Sequence, residues 1–465
     1  MPSPANAGRG TAGSNWTLRC TRAGRLISMK IAIFSIGTQG DVRPFVALGL
    51  GLQAQGHQVC IVTGDSCEQL VRRHGLDYAP LTADFLELMA KDPEVLQRGL
   101  NPVALLRTAR RELLAMSADW VTQATQAANG ADLLLGCGMV ASLAAAIGER
   151  YDIPVVETHL QPVTPCPDIP PMMLPPPRRP RPGMVNQGLY HACRVLTWQM
   201  LSPAYRQVRQ KLDLAPLPWY GPFYRRRRTH HVLYGFSPSI IPPSRYWPES
   251  VRVAGNWFLD EAQTWQAPES LEAFLAAGDK PIYVGFGSML GDDSAALSEV
   301  FLQALRNSGR RAIFATGWGG LADVDDDNVY CLTSAPHDWL FPRVAAAIHH
   351  GGAGTTAAAA RAGIPSIIMP FFGDQPFWSW RLQQLGVATC SLDRKSLDVA
   401  DVEQAIESAT DAALRQRAAT VGAQIRAEDG VAAAIAQLSK WGYLTPVSEP
   451  SPAVDRDLAE PSLAQ

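Results

Sequence analysis

The feature that most narrows the fold is a local order that occurs twice: apolar run, glycine turn, helical stretch, second apolar run. Residues 30–36 form a short apolar run that enters the glycine turn Gly37-Thr38-Gln39-Gly40-Asp41. A helix is expected over residues 44–55, and Gly56-His57 leads into a strand at Gln58–Thr63. Strand, helix and strand at this spacing form a βαβ unit, and such units build parallel sheets. Residues 133–136 and 155–158 read as later strands, with the alanine-rich stretch 139–150 helical between them. Val103, Leu106, Leu113, Leu114 and Val121 fall near helical spacing, so a long amphipathic helix is expected over 101–128. The alternation restarts with strands expected at 281–286, 311–315, 345–349 and 366–370. The expected fold class is α/β, with two doubly wound domains in tandem.

The 465 residues are too many for one ordinary core. The expected division is a disordered extension or mis-assigned start at 1–28, then a first domain at 29–240 and a linker at 241–262. A second domain follows at 263–428, then a helix at 429–445 that packs back on the first domain, and a disordered tail at 446–465. Residues 1–28 carry four arginines and no acid, without the apolar run of a secretory signal. A composition of 47% hydrophobic and 18% charged residues is globular. The net charge of −2 gives no general basis for nucleic-acid binding. No run of about 18 apolar residues could span a membrane. The eight cysteines form no CxxC pair and have no zinc-ligand spacing with histidine, which fits reduced thiols in a cytoplasmic protein.

Residues 161–183 are too rich in proline for a regular element and read as a long surface loop. Arg225–Arg228 with His230 and His231 read as a solvated edge, or as a contact with anionic lipid headgroups at a membrane surface. Asp325-Asp326-Asp327 reads as a solvated loop, not as a metal site.

Residues 349–356, HHGGAGTT, follow a strand and open an alanine-rich helix. Ligands of open α/β sheets bind at the carboxyl ends of strands, and free N–H groups at a helix start attract phosphate. His349 can donate to a diphosphate oxygen, and the hydroxyls of Thr355 and Thr356 add donors. Neither G-x-G-x-x-G nor the Walker G-x-x-x-x-G-K occurs in this turn. Asp374-Gln375 follows about twenty residues later, just past the next strand, and suits neighbouring sugar hydroxyls. A diphosphate cradle followed by an Asp-Gln pair reads as a nucleotide-sugar site.

Here the sequence resembles the bacterial glycosyltransferases of the sterol and macrolide glucosyltransferase type, within the larger class of UDP-glycosyltransferases. Residues 334–375 are similar to that family's donor signature, and GTQGDVRPFVALGLGL, LYGFSPSIIP at 233–242 and VAGNWF at 253–258 also fit. The resemblance, over residues 29–440, implies the GT-B arrangement of two Rossmann-like domains facing across a cleft. It places His349 at the diphosphate and Gly351, Gly354 and Thr355 on the phosphate turn; His350, Gly352 and Ala353, in the same turn, are counted with the donor-binding residues. Asp374 and Gln375 fall at the sugar hydroxyls, Ser288 at the phosphate from the other side, and Ala335 and His337 at the nucleobase edge. Gly40, on the first-domain loop, is counted with the donor-binding residues.

Asp41 falls where plant relatives carry a catalytic histidine and is the expected base; helix capping is its alternative role. His159, after the 155–158 strand, is the rival base. The implied reaction is inverting transfer of a hexose, glucose foremost, to a hydroxyl of a lipophilic acceptor such as a sterol, polyketide or lipid alcohol. The implied donor is UDP-linked. Ser334 stands where plant members carry a tryptophan that stacks on uracil, which keeps dTDP-sugars, including a rhamnosyl donor, in view. No metal and no cofactor is expected. A nucleotide-sugar epimerase and a non-catalytic helper are the rival functions, and acceptor choice is expected to lie in residues 84–100 and 161–190.

Overall fold

The computed structural model describes residues 28–83, 110–222, 230–287, 294–317 and 321–444. Its strands form two wholly parallel sheets. The first contains β1 (Lys30–Phe34), β2 (Gln58–Thr63), β3 (Asp77–Pro80), β4 (Leu133–Cys137), β5 (Val155–His159), β6 (His231–Tyr234) and β7 (Val251–Val253), in the order β3-β2-β1-β4-β5-β6-β7. The second contains β8 (Ile282–Gly285), β9 (Ala312–Ala315), β10 (Val329–Leu332), β11 (Ala346–His349) and β12 (Ser366–Ile368), in the order β10-β9-β8-β11-β12. Helices cover both faces, so central strands are apolar throughout: β4 and β11 bury Leu133, Leu134, Leu135, Ala347 and Ile348 completely.

Each sheet grows outward from its first strand in one direction and then reverses. The reversals lie between β1 and β4 and between β8 and β11. Loops leaving the carboxyl ends of these strands diverge and open a crevice. The turn after β1 holds Gly37–Asp41, and the turn after β11 holds His350–Gly352, so both motifs lie at topological switch points.

Several boundaries differ from the sequence expectation. The helix after β1, α1, runs Gln39–Ala54 and contains Pro44, instead of starting there. The cap set by Thr38 and Asp41 starts the helix five residues earlier. The expected 101–128 helix lies partly outside the described residues; within them, helix at 110–116 is separated by a turn from helix Trp120–Ala127. The interval expected as a linker contributes β7, the edge of the first sheet. A 29-residue helix, Gly183–Lys211, follows the proline-rich loop and includes Pro203.

The two sheets are joined by shared packing. Tyr234, Phe236 and Ile240 lie in one apolar cluster with Ile368, Phe377, Trp378 and Ile425. Helix Gly430–Lys440 packs on α1, so closely that a Cβ on Gly51 would stand 2.3 Å from Val431 Cγ1. Trp441 then stacks on His231 with centroids 4.3 Å apart, and His231 Nδ1 lies 2.8 Å from the Tyr443 hydroxyl. Among the described residues no helix is long and apolar enough to cross a membrane, and the seven cysteines there are all free.

Candidate functional site

The first-domain half is built by the turn from β1 into α1. Gly37 has φ +137°, and a Cβ there would stand 2.4 Å from Asp41 Oδ2, so the turn requires glycine on both counts. Thr38 caps α1 and Asp41 is its third residue. Asp41 Oδ2 accepts from the Thr38 N–H at 2.8 Å and from the Thr38 hydroxyl at 3.0 Å, closing a capping box. Burial raises the Asp41 pKa above the ordinary carboxylate value; the bonds from Thr38 oppose this and the charge of Asp374 adds to it. The side chain is only half-buried and reaches the crevice.

The second half is built by the turn from β11 into helix Ala353–Ala362. Gly351 has φ +87°, and a Cβ there would meet Ile368 Cγ2 at 2.8 Å. The Gly351 N–H donates to His349 Nδ1 at 3.1 Å. Neutral His349 therefore carries its proton on Nε2, and that atom is buried without a partner. Gly352 is the N-cap and offers no capping side chain, so the first N–H groups of the helix, from Ala353 to Thr355, remain as free donors. Gly354 and Gly40 are exposed, and Thr355 is half-buried. The Thr356 hydroxyl is fully buried without a partner.

Three imidazoles surround this turn. Burial holds His349 well below its ordinary pKa, with His350 and His337 adding to the effect. Burial also lowers His350 to about 4. His337 is lowered to about 4 by burial first, then by Arg43 and His350. Its ring stacks on Phe341 at 4.3 Å, and Ala335 sits half-buried two residues before it. At neutral pH all three rings are uncharged hydrogen-bonding groups.

Asp374 stands at the N-cap of helix Gln375–Leu385 but makes no capping bond with its side chain. Its Oδ2 accepts from Trp378 Nε1 at 2.8 Å and from Gln161 Nε2 at 3.1 Å. Burial raises its pKa, and these two bonds partly offset that. Gln375 is buried, and its Oε1 accepts from the N–H groups of Phe371 and Phe372 at 2.7 and 3.2 Å, so its carbonyl shapes the loop beside Asp374.

The halves meet at this point. An ideal Cβ on Gly354 would lie 3.8 Å from the Gly40 carbonyl oxygen, so the starts of α1 and of helix Ala353–Ala362 face each other. Glu261, in the segment joining the sheets, pairs with Arg43 and Arg73, and its N–H donates to Asp338 Oδ2 at 2.9 Å. Two helix starts, a carboxylate on one side and an unpartnered imidazole N–H on the other suit an anionic leaving group opposite a hydroxyl nucleophile.

Residues 31–151 match the glycosyltransferase family 28 N-terminal domain, and residues 317–438 match the erythromycin biosynthesis protein CIII-like C-terminal domain. The sterol 3-beta-glucosyltransferase UGT80A2 of Arabidopsis thaliana is 32% identical over 444 residues, covering 91% of this chain and 68% of that protein. The chain belongs to the sterol 3-beta-glucosyltransferase family of glycosyltransferases. A sterol 3-beta-glucosyltransferase of Emericella nidulans is 35% identical over 423 residues; these cover 88% of this chain but only 29% of that protein's length. The calicheamicin glycosyltransferase CalG4 shares the fold at 18% identity and TM-score 0.65, covering 90% of this chain and all of that one. Glycosyltransferase VinC, solved with dTDP, does so at 17% identity and TM-score 0.62, covering 89% of this chain and 99% of that one. The sequence relatives named here are plant and fungal, so they do not support the bacterial branch expected from the sequence, and CalG4 and VinC share the fold alone.

Against this family frame, the structure brings together Gly40, Asp41, His337, His349, His350, the 351–355 turn and Asp374. His159 is engaged elsewhere. It is buried, its Nδ1 accepts from the Gly138 N–H at 3.4 Å, and its Nε2 lies 3.5 Å from Glu157 Oε2. Although burial alone would raise the Glu157 pKa, hydrogen bonds from His159 and His230 bring it far below the ordinary value. Ser288, Arg225–Arg228 and residues 84–100 lie outside the described residues. Asp326 is held by Arg306 Nε at 2.7 Å and by the Asn328 N–H at 2.8 Å, an arrangement suited to fixing a loop. Sequence reasoning missed Thr38, Gln161, Trp378 and Glu261. Thr38 could have been found from the T-x-x-D capping pattern; the other three depend on contacts distant in sequence.

Proposed function

We propose that the protein transfers a hexose, with inversion, from a nucleoside diphosphate sugar to the hydroxyl of a lipophilic, sterol-like acceptor. The observation that carries this reading is the opposition of Asp41 to the His349 turn across one crevice. Asp41 takes the proton of the acceptor hydroxyl as its oxygen bonds to the anomeric carbon. The bond from that carbon to the diphosphate oxygen breaks, and its electron pair leaves with the diphosphate. His349 Nε2–H and the N–H groups of Ala353, Gly354 and Thr355 receive the developing charge, and Asp374 holds sugar hydroxyls. Burial raises the Asp41 pKa, which makes its carboxylate a better base than an ordinary one. The turn supplies charge stabilisation from neutral donors, so the proposal requires no metal.

The donor proposed is a UDP-hexose, from the family's sterol glucosyltransferases. Ser334, which offers no ring to stack on the base, favours keeping dTDP-sugars as the second reading. The test is a panel of UDP- and dTDP-sugars with sterols and other lipophilic alcohols, read by mass spectrometry. A sterol hexoside from UDP-glucose supports the proposal. Sugar isomerisation with donor alone identifies an epimerase, and absence of both products and of donor hydrolysis identifies a non-catalytic protein.

A further inference from the structure

Helix Gly183–Lys211 buries Tyr190, Trp198, Leu201, Tyr205 and Val208 against the first domain. Its outer side is also apolar. Leu196 is 66% exposed, and Val185, eleven residues earlier, lies on the same helical face at 46%. Met173, 59% exposed, lies beside this helix, with its sulfur 3.4 Å from Thr197 Oγ1. Trp219, 68% exposed, is tethered to it by a bond from Gln199 Nε2 to its carbonyl. Scattered exposed apolar residues are ordinary, but a tryptophan, a leucine and a methionine gathered along one helix form a patch.

The charge around this patch points to its partner. Residues 161–222 hold seven basic and two acidic residues, in a chain whose net charge is −2. Arg178, Arg179 and Arg181 lie on the loop between Met173 and the helix, and no carboxylate pairs with them among the described residues. A second copy of this basic surface would be repelled. A planar anionic partner accepts the arginines at its surface and the apolar side chains just beneath, where tryptophan is favoured.

We infer that this face, formed by Met173, the three arginines, Leu196 and Trp219, docks on an anionic lipid bilayer. The loop that carries the arginines begins at Gln161, which bonds Asp374 in the crevice. Docking therefore holds the crevice near the membrane surface, where a lipophilic alcohol resides. The docking itself is independent of which acceptor is used.

The test is co-sedimentation of the full chain with vesicles of phosphatidylcholine alone or mixed with phosphatidylserine, without donor or acceptor. Binding to the mixed vesicles, weakened by salt, is expected. Replacing Arg178, Arg179 and Arg181 together by Gln should weaken it on the order of 100-fold. Leu196→Asp and Trp219→Ser should each weaken it at least about tenfold. All three variants should keep the wild-type melting temperature. Failure to bind, equal binding to both vesicle types, or binding unaffected by these variants overturns the inference. Concentration-dependent self-association abolished by Leu196→Asp also overturns it, assigning the face to a second copy.

Discussion

Gln161 and Asp374 join the two halves of the crevice: the Gln161 amide, just beyond β5 of the first sheet, donates to Asp374 Oδ2 of the second at 3.1 Å. Trp378 Nε1 bonds the same oxygen at 2.8 Å, and in the proposed function Oδ1 is the oxygen that accepts from a sugar hydroxyl. Hydrogen bonds to a charged group contribute about 1.5–3 kcal/mol. Gln161→Ala should therefore raise the donor KM about tenfold or more, with less effect on kcat. Gln161 lowers the Asp374 pKa that burial has raised. Its loss should move the acid limb of kcat/KM to higher pH. An unchanged donor KM and limb would show that the bond is only structural.

Thr38 tunes the base. Its hydroxyl bond to Asp41 favours the charged carboxylate. Thr38→Val removes that bond, so the Asp41 pKa should rise further and activity should begin to fall at a higher pH on acidification. Loss of a cap should also destabilise the protein by about 0.5–2 kcal/mol. A pH–rate profile and a melting curve separate the two effects. A limb shifted toward lower pH would contradict the assignment.

The legible part of this chain was what local chemistry dictates. The switch-point turns at Gly37–Asp41 and Gly351–Thr355 could be read because only glycine tolerates φ of +137° and +87° there, and free N–H groups must follow at a helix start. Of the extra strands, β3, β7 and β10 lie at sheet edges and are only partly buried, so they lack the continuous apolar run that marks the central strands. Helix Gly183–Lys211 contains Pro203, which reads as a helix breaker in sequence, and has apolar residues on both its buried and exposed sides, which blurs its period. Gln375 was read as a ligand of sugar hydroxyls from its chemistry. Its bonds to Phe371 and Phe372 depend on a loop conformation that spacing does not specify.

His159 should behave as a structural residue. Gly138 and Glu157 engage its two ring nitrogens. His159→Gln should cost about 1–3 kcal/mol of stability, seen as a lower melting temperature, with kcat within a few-fold of wild type at a temperature where the variant is folded. A kcat loss equal to that of an Asp41 variant would restore His159 as a base.

Metal removal should leave turnover intact. In the proposed mechanism, charge on the departing diphosphate is received by His349 and the free N–H groups of the following helix. Dialysis against a chelator should leave kcat unchanged. Full loss restored by a divalent cation would require a metal in place of these donors.

The most direct test of the account is Asp41→Asn, measured with donor binding and single-turnover transfer on the same preparation. Asparagine keeps the size of the side chain and an oxygen for the Thr38 bonds, but it cannot take the acceptor proton. The account predicts wild-type donor affinity with transfer slowed about 10²–10⁴-fold. Wild-type transfer in Asp41→Asn would contradict it.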